Sequence, residues 1–482
     1  MPASIPDIIE TLPNISGWER QVKEAAAAPR APVYAGRTPM ALDRLQAAFA
    51  IALHMHQPII LEDGDVRNAP IKGNLQYMMD RQHVHGCHDA PVYLSCYSRI
   101  ADFVRQGVDE GRHPRIMLDY SGELLFGLRQ MGRSDVIDNL KSVTLNDRYR
   151  TSVEWLGTMW GHAVVPSTPV PDIELHILAW RQHFASIFGW DALDRVRGFS
   201  LPEMNLPNHP DVAYALVAAL RAAGYDWVMV QEHTVEEVDG KPLRERYLPR
   251  KLVTRNSRGQ TASITALIKT QGSDTKLVGH MQPLSEARSQ QPRQRGGRRI
   301  PPLVTQISDG ENGGVMMNEF PGHYNGVWRG LGTEGVVGLN GTEYLELVRA
   351  AGFSEESDEP IQPLHQAALW SRVKGDVGVE KAMEDARKAD HRFHMEGGSW
   401  TNDLSWVKGY ESVLDPIRAL SARFHETVGR RKPDPQSHAY RNALFHLMVA
   451  ETSCYRYWGE GRFTEYAREF CRRGMDILQN DF

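Results

Sequence analysis

The sequence is poor in cysteine and contains no long apolar run. Its 482 residues include four cysteines, at positions 87, 96, 454 and 471, and no two of them form a C-x-x-C pair. The first residues lack the basic-then-apolar pattern of a signal peptide. We therefore expect a reducing, cytoplasmic setting. No apolar stretch reaches the ~18 residues of a membrane span, so no membrane association is predicted.

An excess of charge of one sign is also missing. Lys and Arg number 55 and Asp and Glu number 60, which gives a net charge of −5. This balance creates no bulk field that would attract nucleic acid or an anionic membrane, and we predict neither as a partner. The sequence has no P-loop, no dinucleotide glycine fingerprint and no solenoid repeat, and no cofactor is predicted. A hydrophobic content of 41% is ordinary for a globular enzyme.

Short apolar runs that end in His, Asp or Glu recur along the first two thirds of the chain. They lie at 48–58, 114–124, 155–166, 196–203, 224–233 and 302–312. Helix-length segments separate them, of which 211–224 is the clearest, with apolar residues at helical spacing and a glycine at its end. This alternation predicts an α/β fold, a distorted (β/α)7-type barrel with its active site at the C-terminal ends of the strands.

Composition changes divide the chain into three parts. Residues 1–45 are rich in proline and are predicted to be an N-terminal extension, and 46–335 to be the barrel. From 336 to 482 the patterns are helical, which predicts a helical C-terminal domain packed on the barrel. Within the barrel, 283–300 carries five arginines, two adjacent glycines and little to bury. We expect a mobile surface loop there, with an RNA-binding loop as an isolated alternative.

Two histidines end the first predicted strand. Side chains alternate along a strand, so His54 and His56 lie on one face. They are suited to binding a metal or a polar ligand, or to a structural pair joined by hydrogen bonds.

A glutamate stands between two prolines at 202 and 207. Pro202 restricts the backbone before Glu203 and holds this carboxylate in a defined direction past a strand end. Such preorganisation suits a catalytic carboxylate, and a helix cap is the alternative.

Two further acids, Asp309 and Glu311, end a late strand. Together with the neighbouring glycines they are compatible with a metal site, a general acid or a plain turn.

Five segments, in this order, resemble the signatures of glycoside hydrolase family 57. They are "LHMHQP" (53–58), "WGHAVVPSTP" (160–169), "GFSLPE" (198–203), "SDGEN" (308–312) and "SCYRYW" (453–458). The resemblance spans about 50 to 460. It implies a retaining enzyme that acts on α-glucans as an amylase, a glucanotransferase or a branching enzyme.

The resemblance also implies roles by position. Glu203 matches the family's nucleophile and Asp309 its general acid/base. His56 and His54 match residues that contact the sugar at the cleavage point, and His162 and Glu311 are candidates for the same pocket. Two departures bear on the substrate: Ser200 stands where the family often has Trp, and Glu123 does not align securely with the second signature.

Four tryptophans are candidate sugar-stacking platforms, with burial in the core as the alternative for each: Trp160, Trp400, Trp406 and Trp458.

Two other functions remain open at this stage. A metal-dependent carbohydrate hydrolase or deacetylase on a related barrel would use His54, His56, His162 and Asp309 as ligands. A catalytically weak carbohydrate-binding homologue is the other. We predict that catalysis needs no metal, because two carboxyl groups suffice for glycosyl transfer. The sequence predicts no oligomeric state.

Overall fold

The computed structural model describes residues 5–62, 64–270, 278–311, 315–400 and 406–482. Its centre is a closed barrel of seven parallel strands, labelled β1 to β7 here. These are β1 (Leu45–Met55), β2 (Ile116–Tyr120), β3 (Val153–Gly157), β4 (Gly198–Ser200), β5 (Trp227–Gln231), β6 (Thr261–Lys269) and β7 (Leu303–Asp309). Each strand pairs in parallel with the next, and β7 pairs with β1, which closes the barrel. The predicted (β/α)7-type barrel is confirmed.

Alternation along β1 shows how the barrel is filled. Ala48, Ala50 and Ala52 belong to the interior cluster, and the small side chains leave room for residues of the facing strands. Phe49 and Leu53 point outward into the larger cluster that packs the strands against the helices. The same alternation carries polar side chains, such as His54, to the C-terminal end of the inward face.

Helices surround the barrel and close one end of it. The α-helices are Glu19–Ala27, Asn74–Asp80, Ala90–Asp109, Gly122–Gln130, Ser134–Thr144, Val170–Phe188, Trp190–Leu193, Pro210–Ala222, Gln282–Arg288, Val315–Asn318, Phe320–Gly330, Gly341–Ala350, Gln366–Trp370, Val379–Ala389, Glu411–Arg431, His438–Ala450 and Arg462–Asn480. Helix Gly341–Ala350 contributes Tyr344 and Val348 to the interior cluster. The Trp227 indole N–H at the start of β5 donates to the Thr342 hydroxyl at 2.9 Å. This helix therefore plugs the N-terminal end of the barrel and leaves the C-terminal end for a site.

Shorter strands lie outside the barrel, some joined to its sheet and others paired as separate two-stranded sheets. They are Ile8–Ile9, Leu12–Pro13, Ile59–Leu61, Ile71–Gly73, Val235–Glu237, Arg250–Arg255, Arg293–Arg295, Arg298–Ile300, Gly335–Gly338 and Pro360–Pro363. Strand Pro360–Pro363 pairs with Val235–Glu237 and with Arg250–Arg255. The expectation of helices alone after about residue 340 was therefore wrong at this strand, which is paired on both sides.

The C-terminal helices pack directly on the barrel. Phe445, in helix His438–Ala450, meets Trp160 edge-to-face with ring centroids 6.0 Å apart. The short turn Ser453–Arg456 follows this helix, and the Tyr455 hydroxyl donates to the carbonyl of Ile59 beside β1. This docking carries Ser453 to the open end of the barrel.

The arginine-rich segment has regular structure. It forms helix Gln282–Arg288 and a hairpin of Arg293–Arg295 with Arg298–Ile300. Arg293 and Arg295 form ion pairs with Glu245 and Asp358, each at 2.9 Å. Leu284, Ala287 and Ile300 are buried beneath it. The expectation of a loop with little to bury was wrong, because these few apolar residues face the barrel. No helix in the described part of the chain is long and apolar enough to cross a membrane.

Candidate active site

Glu203 follows β4 in one short turn, Pro202–Met204, whose backbone is tightly held. Glu203 adopts left-handed torsion angles, φ 56° and ψ 19°. The N–H of Met204 donates to the carbonyl of Leu201 at 2.9 Å, and the N–H of Trp400 donates to the carbonyl of Glu203 at 3.1 Å. A non-glycine residue in this region costs about 1–3 kcal/mol, and such strain is typical of functional sites. The two contacts fix the direction of the carboxylate.

Two side chains donate hydrogen bonds to that carboxylate. The Trp400 indole N–H reaches Oε2 at 2.9 Å, and the Ser453 hydroxyl reaches Oε1 at 3.1 Å. Burial raises the pKa of Glu203, and the charge of Asp309 raises it further, while the bonds from Trp400 and Ser453 oppose the rise. The donors therefore favour the ionised form that a nucleophile requires.

Asp309 stands at the end of β7, opposite His54 in the register of β7 and β1. The next residue, Gly310, donates its N–H to the carbonyl of His54 at 2.8 Å. A Cβ at position 310 would come within 2.1 Å of the end of the Met55 side chain, so a larger residue here requires Met55 to move. The ring of His54 stacks on that of His162, whose Nδ1 lies 3.9 Å from Glu203 Oε1, so the two acids stand at the same open end of the barrel.

Three histidines stack beside the carboxylates. The ring of His162 lies between those of His54 and His56, with centroid distances of 4.6 and 4.1 Å. Each histidine has a different hydrogen-bond partner at Nδ1. His54 Nδ1 lies 2.9 Å from Asp119 Oδ2, and His56 Nδ1 lies 2.8 Å from Ser121 Oγ. His162 Nδ1 lies 2.8 Å from Ser453 Oγ. Rings that stack on one another do not converge on a common ion, so this geometry does not favour the metallohydrolase alternative.

The charges within the stack differ. For His54, burial acts to lower the pKa, but the charge and hydrogen bond of Asp119 outweigh it and raise the pKa to about 10. Burial holds the pKa of His56 and of His162 well below the usual value. The charge of His54 lowers the pKa of His56 further, and His56 and His54 together lower that of His162. One imidazolium and two neutral imidazoles therefore line the pocket near pH 7. Because Ser453 donates to Glu203, we assign the Nδ1 proton to His162.

Two further glutamates lie beside the histidines. The Glu311 carboxylate accepts the backbone N–H of His56 at 2.9 Å, and burial followed by the charge of Asp309 raises its pKa to about 8. Glu123 is fully buried, and its Oε2 lies 4.0 Å from His56 Nε2. Burial raises the pKa of Glu123 well above the usual value. Glu123 therefore belongs to this cluster, which its sequence context did not reveal.

The four candidate tryptophans occupy different environments. Trp400 contacts Glu203, as described. Trp160 and Trp406 have no exposed surface. The indole N–H of Trp160 donates to His183 at 3.1 Å, and Trp406 stacks on Tyr457. Their prediction as stacking platforms is therefore corrected to a role in the core. Trp458 is 66% exposed, and its role as a platform stays a prediction.

Sequence reasoning missed Asp119, Ser121 and Ser453. Asp119 is the only charged residue of β2. A charged residue near the end of an apolar strand is the signal that could have identified it. Ser121 caps the next helix by accepting the N–H of Leu124, which conceals its contact with His56. Ser453 carries no signal, because its position depends on how the C-terminal helices dock.

Comparison with known proteins relates part of the chain to a family. The sequence model described as Glycosyl hydrolase family 57 matches residues 50–264. This stretch, somewhat less than half of the chain, is similar to glycosyl hydrolase family 57. The family 57 match includes Glu203 and the three stacked histidines, whereas Asp309 and Ser453 lie beyond it. No curated protein matches the sequence.

Three solved enzyme structures are among those similar to this chain. The 4-alpha-glucanotransferase from Thermococcus litoralis is 15% identical with a TM-score of 0.56, and the match covers 91% of this chain and 60% of the glucanotransferase. This chain thus spans less than two thirds of that protein. The branching enzyme from Thermococcus kodakaraensis is 11% identical over 90% and 89% of the two chains, with a TM-score of 0.49. The alpha-amylase AmyC from Thermotoga maritima is 9% identical over 90% and 93%, with a TM-score of 0.48.

Proposed function

We propose that the chain is a retaining glycoside hydrolase or transglycosylase that acts on α-glucans through a glycosyl-enzyme intermediate. The observation that carries the proposal is that Glu203 and Asp309, at the ends of β4 and β7, stand beside the same stack of histidines at the open end of the barrel. Retention requires two carboxyl groups that face each other across the scissile bond. The similarity of residues 50–264 to family 57 supports the same reaction class.

In the first step, Glu203 attacks the anomeric carbon and Asp309 gives a proton to the departing glycosidic oxygen. The carbon–oxygen bond to the leaving glucan breaks as the ester bond to Glu203 forms. Hydrogen bonds from Trp400 and Ser453 keep the carboxylate ionised and aimed before the attack. His54, charged through Asp119, places a positive group beside two carboxylates and is proposed to bind a sugar hydroxyl.

In the second step, Asp309 takes a proton from water or from a sugar hydroxyl, which attacks the anomeric carbon and releases Glu203. Once Glu203 is esterified it carries no charge that disfavours the ionised form of Asp309. Hydrolysis and transfer differ only in the acceptor. The enzymes named in the comparisons, a glucanotransferase, a branching enzyme and an amylase, include both outcomes.

Product analysis tests this function. The full chain is incubated with maltooligosaccharides, amylose and glycogen, and the products are separated by chain length and linkage. New reducing ends show hydrolysis, a redistributed ladder shows transfer, and α-1,6 linkages show branching. The absence of any product from all three substrates, with folded protein, would leave the non-catalytic carbohydrate-binding alternative.

A further inference from the structure

A second cluster of titratable side chains lies outside the catalytic pocket. It consists of His280, Glu319 and His323, which are all exposed to solvent. His280 Nε2 lies 3.0 Å from a Glu319 carboxylate oxygen, and the rings of His280 and His323 have centroids 4.9 Å apart. One nitrogen or oxygen from each of the three side chains lies within 4.8 Å of the others.

The backbone on both sides of the cluster is held in place. Glu319 and His323 are one helical turn apart, and the N–H of His323 donates to the carbonyl of Glu319 at 3.1 Å. They therefore project from the same face at the start of helix Phe320–Gly330. That helix buries Phe320, Tyr324 and Trp328 against the barrel. The cluster thus sits on a docked helix.

His280 is fixed in a similar way. It lies between Val278 and Met281, which are 1% and 2% exposed, and the N–H of Met281 donates to the carbonyl of Val278 at 2.9 Å. The buried neighbours anchor the turn and leave the imidazole of His280 on the surface.

Two imidazoles and one carboxylate are the donor set that zinc takes with three protein ligands and one open position. Zinc bonds of about 2.0–2.1 Å place tetrahedral ligand atoms roughly 3.3 Å apart, so the most widely separated ligand atoms must approach by up to about 1.5 Å. Ca²⁺ and Mg²⁺ prefer sites made of oxygen and are disfavoured here. Ni²⁺ and Cu²⁺ share the preference for imidazole.

We propose that His280, Glu319 and His323 form a zinc site at the rim of the barrel. The site joins the segment that follows β6 to the helix that follows β7. The first turn of that helix lies at the end of the barrel where β7 ends, which is the end that carries Glu203 and Asp309. The zinc therefore holds together two segments beside the pocket and takes no part in glycosyl transfer. This inference is independent of the proposed reaction.

Calorimetric titration of the full chain with Zn²⁺, after removal of bound metal with a chelator, tests the site. We expect one equivalent to bind with a Kd below ~10 μM at pH 7.5. Co²⁺ in place of Zn²⁺ should give the visible absorption of a tetrahedral site, and Zn²⁺ should raise the Tm by mass action.

Variants separate a site from a surface ion pair. His323→Ala and Glu319→Gln should each weaken Zn²⁺ binding at least ~10-fold, with both proteins folded as judged by circular dichroism. His88→Ala is the matched control, since His88 is an exposed histidine 3.5 Å from the carboxylate of Asp89. No binding to the wild type, or equal binding by all three variants, would overturn the site and leave an ion pair only.

Discussion

The hydroxyl of Ser453 joins His162 to Glu203. It donates to the Glu203 carboxylate at 3.1 Å and lies 2.8 Å from His162 Nδ1. Ser453 is 250 residues from Glu203 in sequence. The C-terminal helical region thus supplies part of the environment of the Glu203 carboxylate and does more than cover the barrel.

Ser453→Ala removes one of the two side-chain donors to Glu203. A hydrogen bond to a charged group contributes about 1.5–3 kcal/mol, so we expect kcat/KM on maltooligosaccharides to fall by ~10–100-fold. The pKa of Glu203 should rise, which moves the acidic limb of the pH profile to higher pH. Ser371→Ala, an exposed serine on another helix, is the control. An unchanged acidic limb would show that Ser453 has no influence on Glu203.

Trp400→Phe keeps an aromatic ring but removes the indole N–H that donates to Glu203. We expect kcat to fall ~10-fold with little change in the free energy of unfolding, because Trp400 is only partly buried. Trp406→Phe should do the reverse, since Trp406 is fully buried away from the carboxylate: a lower Tm and a nearly unchanged kcat. Steady-state kinetics and thermal unfolding of both variants check this contrast. A normal kcat in Trp400→Phe would remove Trp400 from the site.

Asp119→Asn tests the charge on His54. The pKa of His54 is raised to about 10 in the folded state, against ~6.5 in the unfolded state. The stability from this pair is therefore fully present below pH 6.5 and is lost as the pH rises through 10. We expect the free energy of unfolding of the variant to be lower than that of the wild type by up to about 5 kcal/mol at pH 6, with a smaller difference at pH 10. Urea unfolding at several pH values measures it, and a difference that does not depend on pH would contradict the assignment.

How far the sequence could predict this site depends on the type of residue. The strand-end pattern located His54, His56, Glu203 and Asp309, because the barrel brings the C-terminal ends of parallel strands to one edge. It could not locate Ser453, whose contact depends on the packing of distant helices. Both Trp160 and Trp400 were predicted from the sequence as stacking platforms, yet Trp160 fills the core and Trp400 donates a hydrogen bond to Glu203. The arginine-rich hairpin failed as a prediction because its arginines pair with acids more than 40 residues away in sequence.

Lys269→Met tests a buried charge inside the barrel. Lys269 ends β6 on the same face as Leu267 of the interior cluster, is 1% exposed, and its Nζ has no hydrogen-bond partner among the residues that the structure describes. Burial lowers its pKa to about 8, against ~10.4 in the unfolded state. Below pH 8 Lys269 is protonated in both the folded and the unfolded protein, so the full free-energy cost of burying its charge is present. The cost fades as the pH rises from 8 to 10.4.

We therefore expect Lys269→Met to raise the free energy of unfolding by about 3 kcal/mol at pH 7, with a gain that shrinks toward pH 10.4. The control, Lys381→Met, alters an exposed lysine of helix Val379–Ala389 and should change stability by less than ~0.5 kcal/mol. Denaturant unfolding at pH 7 and pH 10 provides the comparison. If Lys269→Met lowered the free energy of unfolding, the Lys269 ammonium would have a stabilising interaction in the folded protein, which contradicts this prediction.

Azide rescue of two variants tests the central claim, that Glu203 is the nucleophile and Asp309 the acid/base. Glu203→Ala should lose turnover on every substrate, and azide should attack the anomeric carbon directly and give a glycosyl azide of inverted configuration. Asp309→Ala should keep activity on substrates with good leaving groups, and azide should react with the glycosyl-enzyme and give the retained product. The configuration of each glycosyl azide is read by NMR. Reversed configurations would exchange the two roles, and full activity in both variants would contradict the account of this site.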